Sequence, residues 1–222
     1  MDLTLKIVDW IFFLTVIVAF VVSVRRPGNT DLRPIQVYIV VMLIEDILLE
    51  FIGILPHIKD NLKYTNIVLN ISSLFEISII FYFLNKIIVK KSFRIAMLIF
   101  LVFYLMVCLY VWTGKYKAFF YVVPQLFGLE NFLITVACLF YFYEILNSEI
   151  IINIRSNSNF TVICGLLFYF SIMTPLSFSY FIWLKSAPEL NSVIQIMNMI
   201  FYSILFISLI KAYLCPFPEQ KH

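Results

Sequence analysis

Seven runs of apolar residues, each about as long as a bilayer is thick, leave this chain few folds to choose from. They fall at 7–24, 35–56, 66–89, 93–112, 119–146, 160–184 and 190–214. About 20 apolar residues rising ~1.5 Å each cross a hydrocarbon core of about 30 Å as a helix. The expected fold is all-α: an integral membrane bundle of seven transmembrane helices. Composition agrees, since only 13% of the residues are charged where soluble domains carry about 25%. With 24 Phe, 13 Tyr and only 5 Gly, the interior should be filled by side chains and not by a wide aqueous pore. No polar stretch is long enough for a second unit, so residues 1–222 read as a single domain.

The connections are short and carry turn chemistry: RRPGNTDLRP, HIKDNLKYT, KKS, TGKYK, NSEIIINIRSNSN and KSAPE. The narrowest division is VKKSFR, between the third and fourth runs, and its three basic residues belong at a surface. The first run lacks a basic leader and a small-residue cleavage site and ends at Arg25 and Arg26, so it is expected to be a retained helix. Orientation follows from the basic residues. One side holds Lys6, Lys59, Lys63, Lys115, Lys117 and Lys185; the other holds Arg25, Arg26, Arg33, Lys86, Lys90, Lys91, Arg94, Arg155, Lys211 and Lys221. Every arginine lies on the second side, so the positive-inside rule puts the N-terminus outside and the C-terminus in the cytoplasm.

Carboxylates inside such runs are the feature that points to function, because ionisable groups at bilayer depth face a bundle interior or a wet cavity. In the second run Asp46, Glu50, Gly53 and His57 share one helical face. In the third, Asn66, Asn70, Ser73 and Glu76 do nearly the same; in the fifth, Pro124, Gly128, Asn131 and Thr135 align with Glu130 beside them. The seventh offers Asn191, Gln195, Asn198 and Tyr202, and the sixth offers Ser171, Thr174 and Pro175, where proline frees a carbonyl and permits a hinge. Glu50, Glu76 and Glu130 lie roughly 9–16 Å from the proposed outer ends of their helices. The polar faces are therefore expected to converge on an acidic cavity in the outer half of the bundle, with His57, Lys59 and Lys63 at its mouth. Glu45, about 100° round from Asp46, points toward another helix. The first and fourth helices show no interior polar stripe and are expected to face lipid.

No lysine or arginine sits at that depth, and an unpaired carboxylate there is costly. The acids then donate hydrogen bonds in protonated form, relay protons, or bind a cation or amine. The competing reading is structural, because polar side chains also hold membrane helices together at about 0.6 kcal/mol per bond. It suits the amides and hydroxyls better than the glutamates, since adhesion needs no ionisable group. Glu144 and Asp9 sit at helix ends, where snorkelling to the interface explains them.

Several chemistries are set aside. The four cysteines are scattered and only two histidines occur, so no zinc site is expected. Lys211 invites comparison with a retinal Schiff base, but it lies at a helix end, and Ile207 stands where such pigments carry an aspartate. Retinal and other cofactors are therefore not expected. GxSxG, HExxH and Walker A motifs are missing, so no catalytic residues, no hydrolase activity and no nucleic-acid partner are expected.

The segments NISSLFEISIIFYF, LFYFYEIL, FTVICGLLFYFSIMTP and IFYSILFISLIKAYLC together resemble the small seven-helix membrane proteins of Bacteroidota, relatives of which stand alone or occur beside or fused to sensor histidine kinases. That resemblance implies a bacterial inner membrane and implicates Glu76, Gly165 and Tyr169, with Glu50 in addition. Only 11 residues follow Lys211, so a signalling output is expected to run through a separate membrane or cytoplasmic partner. The expected function is a sensor or receptor-like subunit whose acidic cavity binds a small ligand, cation or proton. Its ligand-binding residues would be Glu76, Glu50, Asp46, Glu130, Asn131, Asn70, Asn198 and Gln195, with Pro175 and Thr174 as the hinge. A proton- or cation-coupled transporter or channel and an accessory subunit are the alternatives, and homo-oligomers are compatible with the Phe- and Ile-rich surfaces.

Overall fold

A backbone in hydrocarbon must bond to itself, and every long run is helical. The structure, a computed structural model, describes residues 3–26, 30–54, 61–114, 121, 123–148, 157–186 and 190–215. Among the described residues there are seven α-helices and no strand: α1 (Leu3–Arg25), α2 (Arg33–Ile54), α3 (Asn61–Ile87), α4 (Lys91–Thr113), α5 (Pro124–Leu146), α6 (Ser158–Ser186) and α7 (Leu190–Leu214). A turn of 3-10 helix, Thr30–Leu32, leads into α2. The narrow division of the sequence is a true break, because α3 stops at Ile87 and α4 starts at Lys91. Where the fifth run begins at 119, its helix begins at Pro124; proline has no N–H to lose and a helical φ, which suits the first helical position.

Six of the seven helices are long and apolar enough to cross a membrane, and the chain is an integral membrane protein. The exception is α2, which carries Glu45, Asp46 and Glu50 within six residues. Helix α1 packs on α2 and α7, α2 on α3, α3 on α5, α5 on α6, and α6 on α7, so six helices close a ring. Helix α4 leans on the outside of that ring against α3 and α5. Its buried residues, Met97, Tyr104 and Cys108, form one stripe at i, i+7 and i+11, while Ile95, Leu98, Ile99, Val102, Phe103 and Met106 are exposed. Helix α1 likewise buries Phe12, Val16, Ala19 and Ser23 and exposes Ile7, Trp10, Ile11, Leu14, Val18 and Val21.

One end of the bundle is fastened by side chains that reach backbone groups. Tyr213 donates its hydroxyl to the Leu32 carbonyl at 2.9 Å. Lys86 donates to the Thr30 carbonyl at 2.6 Å and lies 3.2 Å from Asp31 Oδ1. Glu144, at the end of α5, accepts the amides of Val89 and Lys90 at 2.8 and 3.3 Å. Its role is therefore to receive backbone donors just ahead of α4, where a negative charge is favoured, and not merely to snorkel. This end gathers Arg25, Arg26, Arg33, Lys86, Lys90, Lys91, Arg94 and Lys211; the described basic residues of the opposite end are Lys6, Lys63 and Lys185.

Apolar helices gain nothing from hiding in lipid from lipid, so contact between them rests on close packing and polar bonds. Gly165 of α6 is buried where a Cβ would come within 2.7 Å of Ser208 Cβ on α7. At Gly128 of α5 a Cβ would meet the Phe178 ring of α6 at 3.0 Å. All four cysteines are unpaired.

Gly165→Ala is expected to lower stability by about 1–3 kcal/mol, because the atom it meets is a Cβ that moves only with α7. The melting temperature of the purified protein checks this, and an unchanged value would show that α6 and α7 can separate at little cost. Glu144→Ala should cost about 1 kcal/mol, as loss of exposed hydrogen bonds does, and should speed hydrogen exchange at Val89 and Lys90.

Candidate functional site

The interior of the ring holds glutamates answered by hydroxyls. Glu76 of α3 accepts a hydrogen bond from the Tyr38 hydroxyl of α2 at 2.8 Å, and the Tyr202 hydroxyl of α7 stands 3.2 Å from the same oxygen. The two phenol oxygens are 2.9 Å apart, so three helices meet in one hydrogen-bonded triangle. Each phenol has a single proton to donate; with Tyr38 engaged on Glu76, the Tyr202 proton has three acceptors within reach, Tyr38, Glu76 and the Met42 sulfur of α2 at 2.7 Å. The Tyr202 ring is held by stacking on Tyr169 of α6 at 4.6 Å and on Phe12 of α1 at 5.4 Å. Tyr38 is fully buried and stacks on Phe206. Tyr169 in turn donates to Asn198 Oδ1 at 3.0 Å, joining α6 to α7.

A second cluster lies one helical turn along α3. Ser73 donates to Glu130 Oε2 of α5 at 2.5 Å and is 2.6 Å from the Tyr104 hydroxyl of α4, which itself stands 3.4 Å from the same carboxylate oxygen. Glu130 is 1% exposed, and its other oxygen, Oε1, is buried with no hydrogen-bond partner among the described residues. The carboxylates of Glu45 and Glu76 are close enough to act on the charge of Glu130, and Glu45 also feels Glu76 and Asp46. Among the described residues no lysine or arginine acts on Glu45, Glu76 or Glu130.

The residues singled out from the sequence are thus divided between locations. Glu76, Glu130, Asn198 and Asn70 point into the bundle; Asn70 donates to the Tyr121 carbonyl at 3.2 Å. Asn131 is buried and donates to Ser177 Oγ at 3.1 Å, between α5 and α6. Asp46 and Glu50 face α1 instead: Asp9 and Glu50 are the charges that act on Asp46. Beside them Asp9, Trp10, Phe13, Ile47, Glu50 and Phe51 line an open cleft of about 340 Å³. The face of α2 that reaches Glu76 carries Tyr38, Met42 and Glu45, at i, i+4 and i+7. Gln195 is exposed. Helix α6 continues through Pro175, which is exposed, and Thr174 donates its hydroxyl back to the Phe170 carbonyl at 2.7 Å. His57 and Lys59 lie outside the described residues, as does the side chain of Asn191.

Tyr38 and Tyr104 are the participants that the reading of polar stripes passed over. Tyr38 shares its face with Glu45, and Tyr104 lies on the stripe that includes Met97 and Cys108. A search for tyrosines one or two turns from an acid, or in register with small buried residues, would have found both. Among the described residues no group of three His, Cys, Asp or Glu side chains is arranged to hold a metal ion. No protein-family model, no curated protein and no solved structure matches this chain.

The triangle predicts energetic coupling. Tyr38→Phe and Tyr202→Phe keep both rings and remove one hydroxyl each, and each should cost about 0.6 kcal/mol, reaching ~1.7 at most. The double variant should depart from the sum by about 0.5 kcal/mol or more. Additive losses in equilibrium unfolding would mean that the phenols act independently.

Proposed function

We propose that the chain is a seven-span protein, N-terminus outside and C-terminus cytoplasmic, in which the acid and tyrosine network is a proton- or cation-responsive site of a sensor-like subunit. For α2 as a span, the support is that its acids face α3 and the cleft against α1, and that the neighbouring ends of α2 and α3 are joined through Lys86 and Asp31. For the orientation, it is the concentration of described arginines at one end, the end that remains cytoplasmic in the positive-inside rule.

The observation that carries the function is the trio Glu45, Glu76 and Glu130, within electrostatic reach of one another and without an adjacent cation among the described residues. Three like charges at that depth repel, and phenol and serine hydroxyls offset only part of the cost of desolvation. A bound proton or small cation relieves the rest. Its arrival changes which oxygens accept from Tyr38 and Tyr202, and with them the fit of α2, α3 and α7. A ligand shifts an equilibrium only by its difference in affinity for two states, and here the difference is the number of compensated charges. The shift in α7 would be read by a partner in or beneath the membrane, consistent with the resemblance to proteins that accompany sensor kinases.

A transporter coupled to protons or cations is the second reading, and one observation favours it. The acids form a continuous series, from Asp9 and Glu50 at the open cleft through Asp46 and Glu45 to Glu76 and Glu130. Such a series offers a cation a way in, and transport would require a continuation toward the basic end.

Thermal unfolding decides whether the site responds at all. Between about pH 5 and pH 9, and across a panel of monovalent cations, wild type should shift its melting temperature by several degrees, and Glu76→Gln should flatten that response. No response in either protein would reduce the acids to helix adhesion. Proteoliposomes then separate the two readings: the sensor passes no more protons or cations than empty vesicles under an imposed potential, whereas flux abolished by Glu76→Gln marks a transporter.

A further inference from the structure

A cleft outside the acid network lies at the basic end, between the start of α2 and the end of α3. It has a volume of about 500 Å³, and its lining includes Arg33, Lys86, Ser78, Tyr82, Val37 and Ile79. A second depression of about 340 Å³ shares Arg33 and Val37 and runs on to Val40, farther along α2. The cations stand at the rim, since Arg33 is the first residue of α2 and Lys86 the last but one of α3. Val37, Ile79 and Val40 lie deeper, and Val37 and Tyr82 are exposed. Charge is thus placed at headgroup depth, above an apolar furrow that descends into hydrocarbon.

We propose that this groove binds an anionic phospholipid, with the phosphate between Arg33 and Lys86 and an acyl chain along Val37 and Ile79. The donor count supports it. The Lys86 ammonium has three N–H groups and spends them on Asp31 and the Thr30 carbonyl, leaving one. The Arg33 guanidinium offers five, and it forms no hydrogen bond or ion pair among the described residues. Asp31 cancels one of the two positive charges, so the rim carries a net single positive charge that matches one phosphodiester. Tyr82 adds a hydroxyl one turn deeper, at the level of glycerol oxygens. A soluble phosphate would satisfy the rim but make no use of the furrow, whereas a diacyl lipid uses both. Basic pockets between membrane helices bind anionic headgroups in this way, with each cation contributing roughly five-fold in affinity.

The test uses the full chain, delipidated in detergent and titrated with phosphatidylglycerol or with phosphatidylcholine of the same acyl chains, with bound lipid counted by native mass spectrometry. One phosphatidylglycerol should be retained in preference to phosphatidylcholine. Arg33→Gln should weaken that binding about five-fold, while Arg26→Gln, the same loss of charge at the same end but outside the groove, should leave it unchanged. Val37→Trp, which fills the furrow and keeps both cations, should also lose the preference, and it serves if the arginine variant fails to fold. Equal losses in Arg33→Gln and Arg26→Gln would mean diffuse surface attraction and overturn the site. So would equal retention of the two lipids, or displacement of the lipid by inorganic phosphate, which would mark a soluble-anion site.

Discussion

A carboxylate in hydrocarbon has to be bonded, neutralised or turned toward water, and the arrangement of this bundle follows from that demand. The protein answers its deepest acids with neutral donors. Tyr38 serves Glu76, Ser73 serves Glu130, and Tyr202 and Tyr104 stand second to them. Phenols suit the task because the ring is itself apolar and only the hydroxyl needs a partner. Stacking fixes where each hydroxyl points: Tyr202 is aligned by Tyr169 and Phe12 before it meets Glu76. An arginine would compensate a carboxylate more fully and hold it ionised. Hydroxyls leave the site open to a change of charge.

The two ends of the molecule are built differently. At the basic end, side chains bond to backbone carbonyls and amides of neighbouring elements, as Tyr213, Lys86 and Glu144 do. Those bonds set helix ends against one another and resist sliding. Toward the other end α1 and α2 are separated by an open cleft lined by Asp9 and Glu50. Like charges there oppose closure unless something neutralises them. The close approach of α6 and α7 at Gly165 lies one turn from Tyr169 along α6, between that tyrosine and the basic end.

Much of this was legible in the sequence, and the physical reason for what was not is specific. Run length revealed the helices, because hydrocarbon thickness sets a length that turns cannot hide. Spacing showed that Asn66, Asn70, Ser73 and Glu76 share the inner face of α3, and that Glu130 and Asn131 are interior. Lipid and protein interior are equally apolar, however, so hydrophobic pattern does not distinguish the two faces of a helix such as α4. Its inward stripe carries Tyr104, which reads as one more aromatic until its hydroxyl is placed beside Ser73 and Glu130. On α2 the adjacent acids Glu45 and Asp46 offered two faces about 100° apart. Choosing between them needs the positions of α1 and α3, which no local pattern contains.

Helix α3 joins the two polar clusters, and this gives the network its reach. Ser73 and Glu76 are three residues apart on one face, so the α4–α5 cluster and the α2–α7 triangle share a rigid support. Charge on Glu76 acts directly on Glu130, and Tyr169 of α6 lies within the field of both. Neutralising one glutamate therefore changes the cost of charging the other, whichever is occupied first. The two clusters together draw on side chains of six helices, α2 to α7, and the stack of Phe12 on Tyr202 adds α1.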